Sequence, residues 1–165
     1  MITIYLKNYN REITQKKYDE VIKELSFNTL TCPLCKGHHF VKHAYYSRKV
    51  KTKYSYLDLV ILRVKCKTCN STHALLLSCI IPYSSIQLKD QLRIIKGKNI
   101  DELMLTNINI DESDVQRVKR NYRKFFKEML FSFDIALNRE LIINCFKYFR
   151  RNFLQIKWGY NILYT

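Results

Sequence analysis

The spacing of hydrophobic positions changes several times along the chain, and each change marks an element. Met1–Leu6 is a short apolar run and reads as a strand. From Thr14 to Leu25 the apolar side chains Tyr18, Val21, Ile22 and Leu25 recur three, four and seven positions apart. That spacing predicts a short amphipathic helix, with Thr14 as its N-cap. Residues 26–31 form a connection. Phe40–Val50 and Tyr54–Cys66 are rich in aromatic and β-branched residues, with the polar run Lys51-Thr52-Lys53 between them. This predicts a β-hairpin, although no Asn-Gly or Asp-Gly fixes its turn. His73–Ile81 is a third apolar run, suited to pair with the hairpin.

The period then becomes helical. Pro82-Tyr83-Ser84-Ser85 stops the strand and offers serine N-caps. Ile86–Lys96 carries Leu88, Leu92 and Ile95 on one face, and Gly97 is placed to end it. Ile100–Leu105 predicts a second short helix and Thr106–Ile110 a turn, where Asn107 or Asn109 would take any left-handed position. Asp111 or Ser113 then caps a longer helix reaching about Leu130, with Val115, Val118, Tyr122, Phe125, Phe126 and Met129 as its apolar stripe. Ala136–Phe153 predicts a last amphipathic helix, and Gln155–Tyr164 alternates weakly, as a strand would. The fold class expected is α+β, divided into an N-terminal strand and helix (1–31), a cysteine-bearing hairpin module with a third strand (32–83) and a helical module (84–165).

Charge changes the functional picture. The chain of 165 residues holds 29 Lys and Arg against 14 Asp and Glu, a formal net charge of +15. Such an excess favours a polyanionic partner, nucleic acid before a membrane surface. No stretch approaches the length of uninterrupted apolar residues that a membrane span needs, and Met1–Asn10 lacks the pattern of a secretory signal. The expected setting is therefore the bacterial cytoplasm, associated with the nucleoid. Residues 32–83 alone hold nine basic residues against one acidic, with five of the six cysteines and all four histidines.

The cysteines carry the most specific chemistry. Cys32-Pro33-Leu34-Cys35 and Cys66-Lys67-Thr68-Cys69 are two C-x-x-C pairs, with 30 residues between them. One C-x-x-C turn sets two thiolates an edge apart on a tetrahedral metal, and two such turns complete a Cys₄ site for one structural Zn²⁺. The gap exceeds the usual roughly 15–20 residues, so the intervening hairpin must be long. Disulfides or a redox C-x-x-C compete with this reading, but two such pairs in a basic chain without a secretion signal weigh against both. His38, His39 or His73 are placed to replace a ligand, or to pack beside the site. Cys79 and Cys145 read as small buried apolar residues.

Knuckle, hairpin, knuckle and strand is the order of a zinc ribbon. The helices that follow stand in helix-turn-helix order. In the last of them Arg117, Lys119, Arg120, Arg123 and Lys124 surround the apolar stripe, and the hairpin adds Lys42, Arg48, Lys49, Lys51 and Lys53. These ten residues are the candidate nucleic-acid contacts.

Taken together, Cys32-Pro-Leu-Cys35, Arg63-Val-Lys-Cys66-Lys-Thr-Cys69, Thr72-His-Ala-Leu-Leu76 and Ile81-Pro-Tyr-Ser84 resemble the signature of small Firmicute proteins of an uncharacterised domain family. Those proteins in turn look like the zinc-ribbon and helix-turn-helix N-terminal part of insertion-sequence transposases. The resemblance covers about residues 30–130 and implies mobile-element DNA binding. It departs from the family pattern at Leu77, where a proline usually follows.

Catalysis finds little support. A ribonuclease-H-like transposase needs three carboxylates holding two metal ions. Here Asp58 stands alone, and Asp101, Glu102, Asp111, Glu112 and Asp114 fall at helix starts, where capping accounts for them. A tyrosine nucleophile stays open on 12 tyrosines, although an Asn-, Lys- and Ile-rich composition also accounts for that number. The expectation is a non-catalytic, zinc-dependent binder of duplex DNA. An RNA or single-strand binder is the alternative, with Tyr45, Tyr46, Tyr54 and Tyr56 interleaved among the hairpin bases for stacking. A protein-docking adaptor is the third reading, and a protein partner or homodimer is compatible with any of them.

Overall fold

Two long strands that pair along nearly their whole length organise the sheet. The computed structural model describes residues 1–6, 12–138, 140–149 and 152–155. Its strands are β1 (Ile2–Ile4), β2 (Phe40–Lys51), β3 (Tyr56–Cys66) and β4 (Thr72–Leu77), in the spatial order β1-β4-β3-β2. β2 and β3 are antiparallel from Phe40 opposite Cys66 to Lys51 opposite Tyr56, with one irregularity between Lys42 and Ala44. The turn is held by Thr52, whose amide and hydroxyl both donate to the Ser55 carbonyl (2.9 and 2.7 Å). Lys51 therefore lies in the strand, not in the turn.

β4 pairs antiparallel with β3 over only Arg63–Lys65 and parallel with β1 from Leu75 to Leu77. Where β3 and β4 part, Tyr18 fills the gap. Its hydroxyl accepts from the Leu62 amide (2.9 Å) and donates to the Leu75 carbonyl (3.0 Å), so it satisfies two buried backbone groups that a continuing ladder would have paired. β4 runs on through Leu77 and stops there, short of Ile81; Ser78 and Cys79 form a turn, and Ile80 makes a single bridge to Gln87.

The helices are α1 (Gln15–Glu24), α2 (Leu88–Ile95), α3 (Ile100–Met104), α4 (Glu112–Phe125), α5 (Lys127–Ser132) and α6 (Leu141–Phe149). Thr14 caps α1 by accepting from the Lys17 amide (3.2 Å). The serines before α2 do not cap it. Gln87 stands at that N-cap without a side-chain cap bond, accepting instead from the Ile13 amide and donating to the Lys51 carbonyl. Ser84 accepts from Ile86 and Gln91 and so holds the loop. Asp111 and Asp114 cap α4 reciprocally in a capping box.

Two expectations for this region change. Neither Asn107 nor Asn109 is left-handed. The buried Asn107 shapes the turn through its side chain, accepting from the Asn109 amide (3.2 Å) and donating to Asp90 (3.0 Å). The long helix to Leu130 is also broken: Phe126, fully buried and edge-on to Phe153 at 5.5 Å, has φ −128°, and the chain restarts as α5. The C-terminal helix is shorter than Ala136–Phe153, and the tail strand expected up to Tyr164 lies outside the described residues beyond Gln155. Side chains from β1, the hairpin, β4 and α2–α6 meet in one buried cluster. Among the described residues no helix is long and apolar enough to cross a membrane.

Candidate metal centre

Each C-x-x-C pair sits in the same backbone device. The Cys32 amide donates to the Gly37 carbonyl (2.8 Å), and the Cys66 amide donates to the Ser71 carbonyl (2.9 Å), five residues on in both cases. The residue after the second cysteine is left-handed in both, Lys36 at φ 64° and Asn70 at φ 59°. A tight loop closed in this way turns both thiols of a pair to one side. The pairing of β2 with β3 then sets the two loops opposite each other, and the Lys67 amide ties them by donating to the His39 carbonyl (2.8 Å).

The result is a four-sulfur cluster. Cys32, Cys35, Cys66 and Cys69 place their Sγ atoms all within 4.8 Å of one another. Cys32–Cys69 and Cys35–Cys66 are each 3.6 Å apart. A tetrahedral ion with metal–sulfur bonds of about 2.3 Å needs sulfurs about 3.8 Å apart, so the set fits. A disulfide needs about 2.05 Å, and none of these four cysteines forms one. Cys32 and Cys66 are buried, and Cys35 and Cys69 are half-buried.

The surroundings favour thiolates at one knuckle. Hydrogen bonds from the Ser71 hydroxyl and amide pull the Cys69 thiol down to about 6. At Cys35 the Gly37 amide pulls downward, but desolvation and the other thiols outweigh it and push the group up to about 12. Thiols this close cannot all ionise without a cation between them. Packing is tight as well: a Cβ on Gly37 would stand 2.5 Å from Thr68 Oγ1 and 3.3 Å from Cys35 Sγ, so glycine lets the two loops close.

The histidines stay outside the four-sulfur set. His73 is buried, with Nε2 3.4 Å from Cys32 Sγ and its ring edge-on to Phe40. Burial and the N-terminal charge lower it to about 4, so it is neutral and supports the sulfur as a hydrogen-bond neighbour. His38 donates from Nδ1 to the Leu30 carbonyl (2.9 Å), and His39 is exposed. Cys79 and Cys145 are buried apolar residues. Gly37 and Ser71 belong to no motif of their own; the signal that marks them is their equal offset after each C-x-x-C pair.

The ten basic candidates separate into groups. On α4, Arg117, Arg120, Arg123 and Lys124 are exposed and Lys119 is half-buried. Arg117, Arg120 and Lys124 recur at three and seven, on the side away from the buried Val115 and Val118. On the hairpin Lys42, Lys49 and Lys53 are exposed, and the Lys53 ammonium lies 4.6 Å over the Tyr54 ring. The other two turn inward. Lys51 is buried and pairs with Asp114, with Asp111 at 3.7 Å. Arg48 donates from Nη2 to the carbonyls of Ile81 (2.5 Å) and Ser84 (2.7 Å). Lys51 is both matched by a buried carboxylate and itself buried, so it leaves the set of candidate contacts; Arg117 pairs with the same Asp114 but keeps its side chain half exposed.

The hairpin end and α4 are fastened together. The Ile108 amide donates to the Lys53 carbonyl, and Asn109 Nδ2 donates to the carbonyls of Thr52 and Ser55, each at 3.1 Å. A family model described as a domain of unknown function (DUF6431) matches residues 32–118, from the first cysteine to the middle of α4. No curated protein and no solved structure matches the chain.

Proposed function

The chain belongs to the DUF6431 family, and we propose that it is a zinc-stabilised, non-catalytic DNA-binding protein of a mobile element. Cys32, Cys35, Cys66 and Cys69 would hold one Zn²⁺ as thiolates, and the ion would cross-link the two knuckles of a zinc ribbon. α3, the turn after it and α4 stand in helix-turn-helix order, with α4 as the element that enters the major groove.

One observation carries the reading: the exposed ladder Arg117, Arg120 and Lys124 on α4 is fastened, through the Lys51–Asp114 pair and the Ile108–Lys53 hydrogen bond before the helix, to the hairpin end, where Lys49 and Lys53 are exposed. Two basic surfaces held at a fixed spacing suit one duplex, with α4 reading the groove and the hairpin following the phosphates. The experiment is a salt series of duplex binding. Arg120→Ala with Arg123→Ala should weaken duplex binding without lowering stability, and each phosphate contact removed with them should flatten the salt slope by about 1. Unchanged affinity in a folded variant removes α4 from the interface.

A specific observation also favours the single-strand reading. Tyr45, Tyr54 and Tyr56 are 62%, 70% and 52% exposed, so packing within the hairpin does not account for them. Stacking on unpaired bases would. Tighter binding to single strands than to duplex across the same salt series would put this reading first.

A further inference from the structure

On one side of the sheet, between β2, β3, β4 and the loop 82–85, lies a cavity of about 550 Å³. That volume is in the range of small-molecule sites. Its lining is unusual in this chain, with two guanidiniums, Arg48 and Arg63, two tyrosines, Tyr46 and Tyr83, several hydroxyls and no carboxylate. Among the described residues neither arginine has an acidic partner.

The two cations are held by neutral groups only. Arg48 is fixed by the Ile81 and Ser84 carbonyls, with the Tyr46 hydroxyl beside it. Arg63 reaches across to β4 and donates to the Thr72 hydroxyl (3.1 Å). Burial lowers Arg48 from its ordinary value, the mark of a cation that has lost water without gaining a counter-ion. Carbonyls orient a guanidinium but do not neutralise it, so the remaining donors of both arginines keep their pull on an anion. At the rim Tyr83 is 73% exposed and left-handed, at φ 63°. A bulky residue in that conformation is strained, and here the strain holds an aromatic ring at the cavity mouth.

From this arrangement we infer that the cavity is a binding site for a nucleoside phosphate, its phosphate between Arg48 and Arg63 and its base against Tyr83 and Tyr46. The ligand is either a free nucleotide or an unpaired residue of a strand. The site is separate from α4 and does not depend on the duplex-binding reading.

The test titrates the full chain with inorganic phosphate, a nucleoside 5′-monophosphate and a short single-stranded oligonucleotide by calorimetry. The monophosphate is expected to bind about tenfold more tightly than phosphate, because stacking adds to the charged contacts. Arg63→Gln, at an exposed position, is expected to weaken both about tenfold or more with unchanged circular dichroism. Tyr83→Ala is expected to remove the preference for the nucleoside and leave phosphate binding in place. Displacement of the monophosphate by the oligonucleotide, lost in Arg63→Gln, identifies the ligand as an unpaired residue of a strand; no displacement identifies the free nucleotide. Arg120→Ala with Arg123→Ala should leave monophosphate binding unchanged, so that failure of the duplex reading is told apart from failure here. No binding at millimolar monophosphate, or equal affinity of wild type and a folded Arg63→Gln, overturns the site.

Discussion

Lys51 at the end of β2 and Asp114 in the first turn of α4 form a buried ion pair, 63 residues apart in sequence. Asp114 also caps α4 and pairs with Arg117, so one carboxylate joins the hairpin, the helix start and the basic ladder. Lys51→Met would leave that carboxylate buried without its one buried cation, the half-exposed Arg117 remaining. Removing one member of such a pair typically costs about 3–5 kcal/mol; Arg117 remains, so a loss near 3 kcal/mol is expected in urea unfolding. A variant as stable as wild type would show that the pair fastens nothing.

Asp90 behaves in the opposite sense. It is fully buried; Oδ2 accepts from Asn107, Oδ1 has no hydrogen-bond partner, and Arg93 is 3.9 Å away. Burial raises its carboxyl above the ordinary range, despite the Asn107 bond. A carboxyl whose folded value lies above its unfolded one, about 3.9, contributes stability that is complete below that value and is lost as pH rises through the folded value. Asp90→Asn keeps the acceptor for Asn107 and removes the charge. The variant should melt higher than wild type at neutral pH, and the gap should close in acid. A lower melting temperature at neutral pH would mean that Arg93 compensates the carboxylate.

Gly37 tests the closing of the two loops. Gly37→Ala places a methyl against Thr68 Oγ1 and should weaken metal retention against a chelator. Thr68→Ala in the same chain removes the obstructing hydroxyl and should restore part of it. Full retention in Gly37→Ala would show that the loops have room to spare.

How far the sequence foretold these features depends on the distance over which each is decided. The four cysteines were legible because C-x-x-C carries its geometry within four residues, and the hairpin was legible from its alternation and composition. Lys51 was not. In sequence it is one cation of a polar turn, and only the fold brings Asp114 to it. The same holds for Tyr18, whose helical spacing marks it as core without revealing that its hydroxyl completes the sheet. Gln87 at the start of α2 displaced the serines because Ile13 and the Lys51 carbonyl, both distant in sequence, needed its side chain. Arg48 reads as one more hairpin cation until the loop 82–85 folds over it.

The metal content of the purified chain decides whether Cys32, Cys35, Cys66 and Cys69 form one metal centre. Elemental analysis of protein prepared without added metal should give about one zinc per chain, lost in Cys66→Ser and retained in Cys145→Ser, with unfolding when a chelator strips the ion. A chain without bound metal, or one whose fold survives complete metal removal, would contradict the four-thiolate centre.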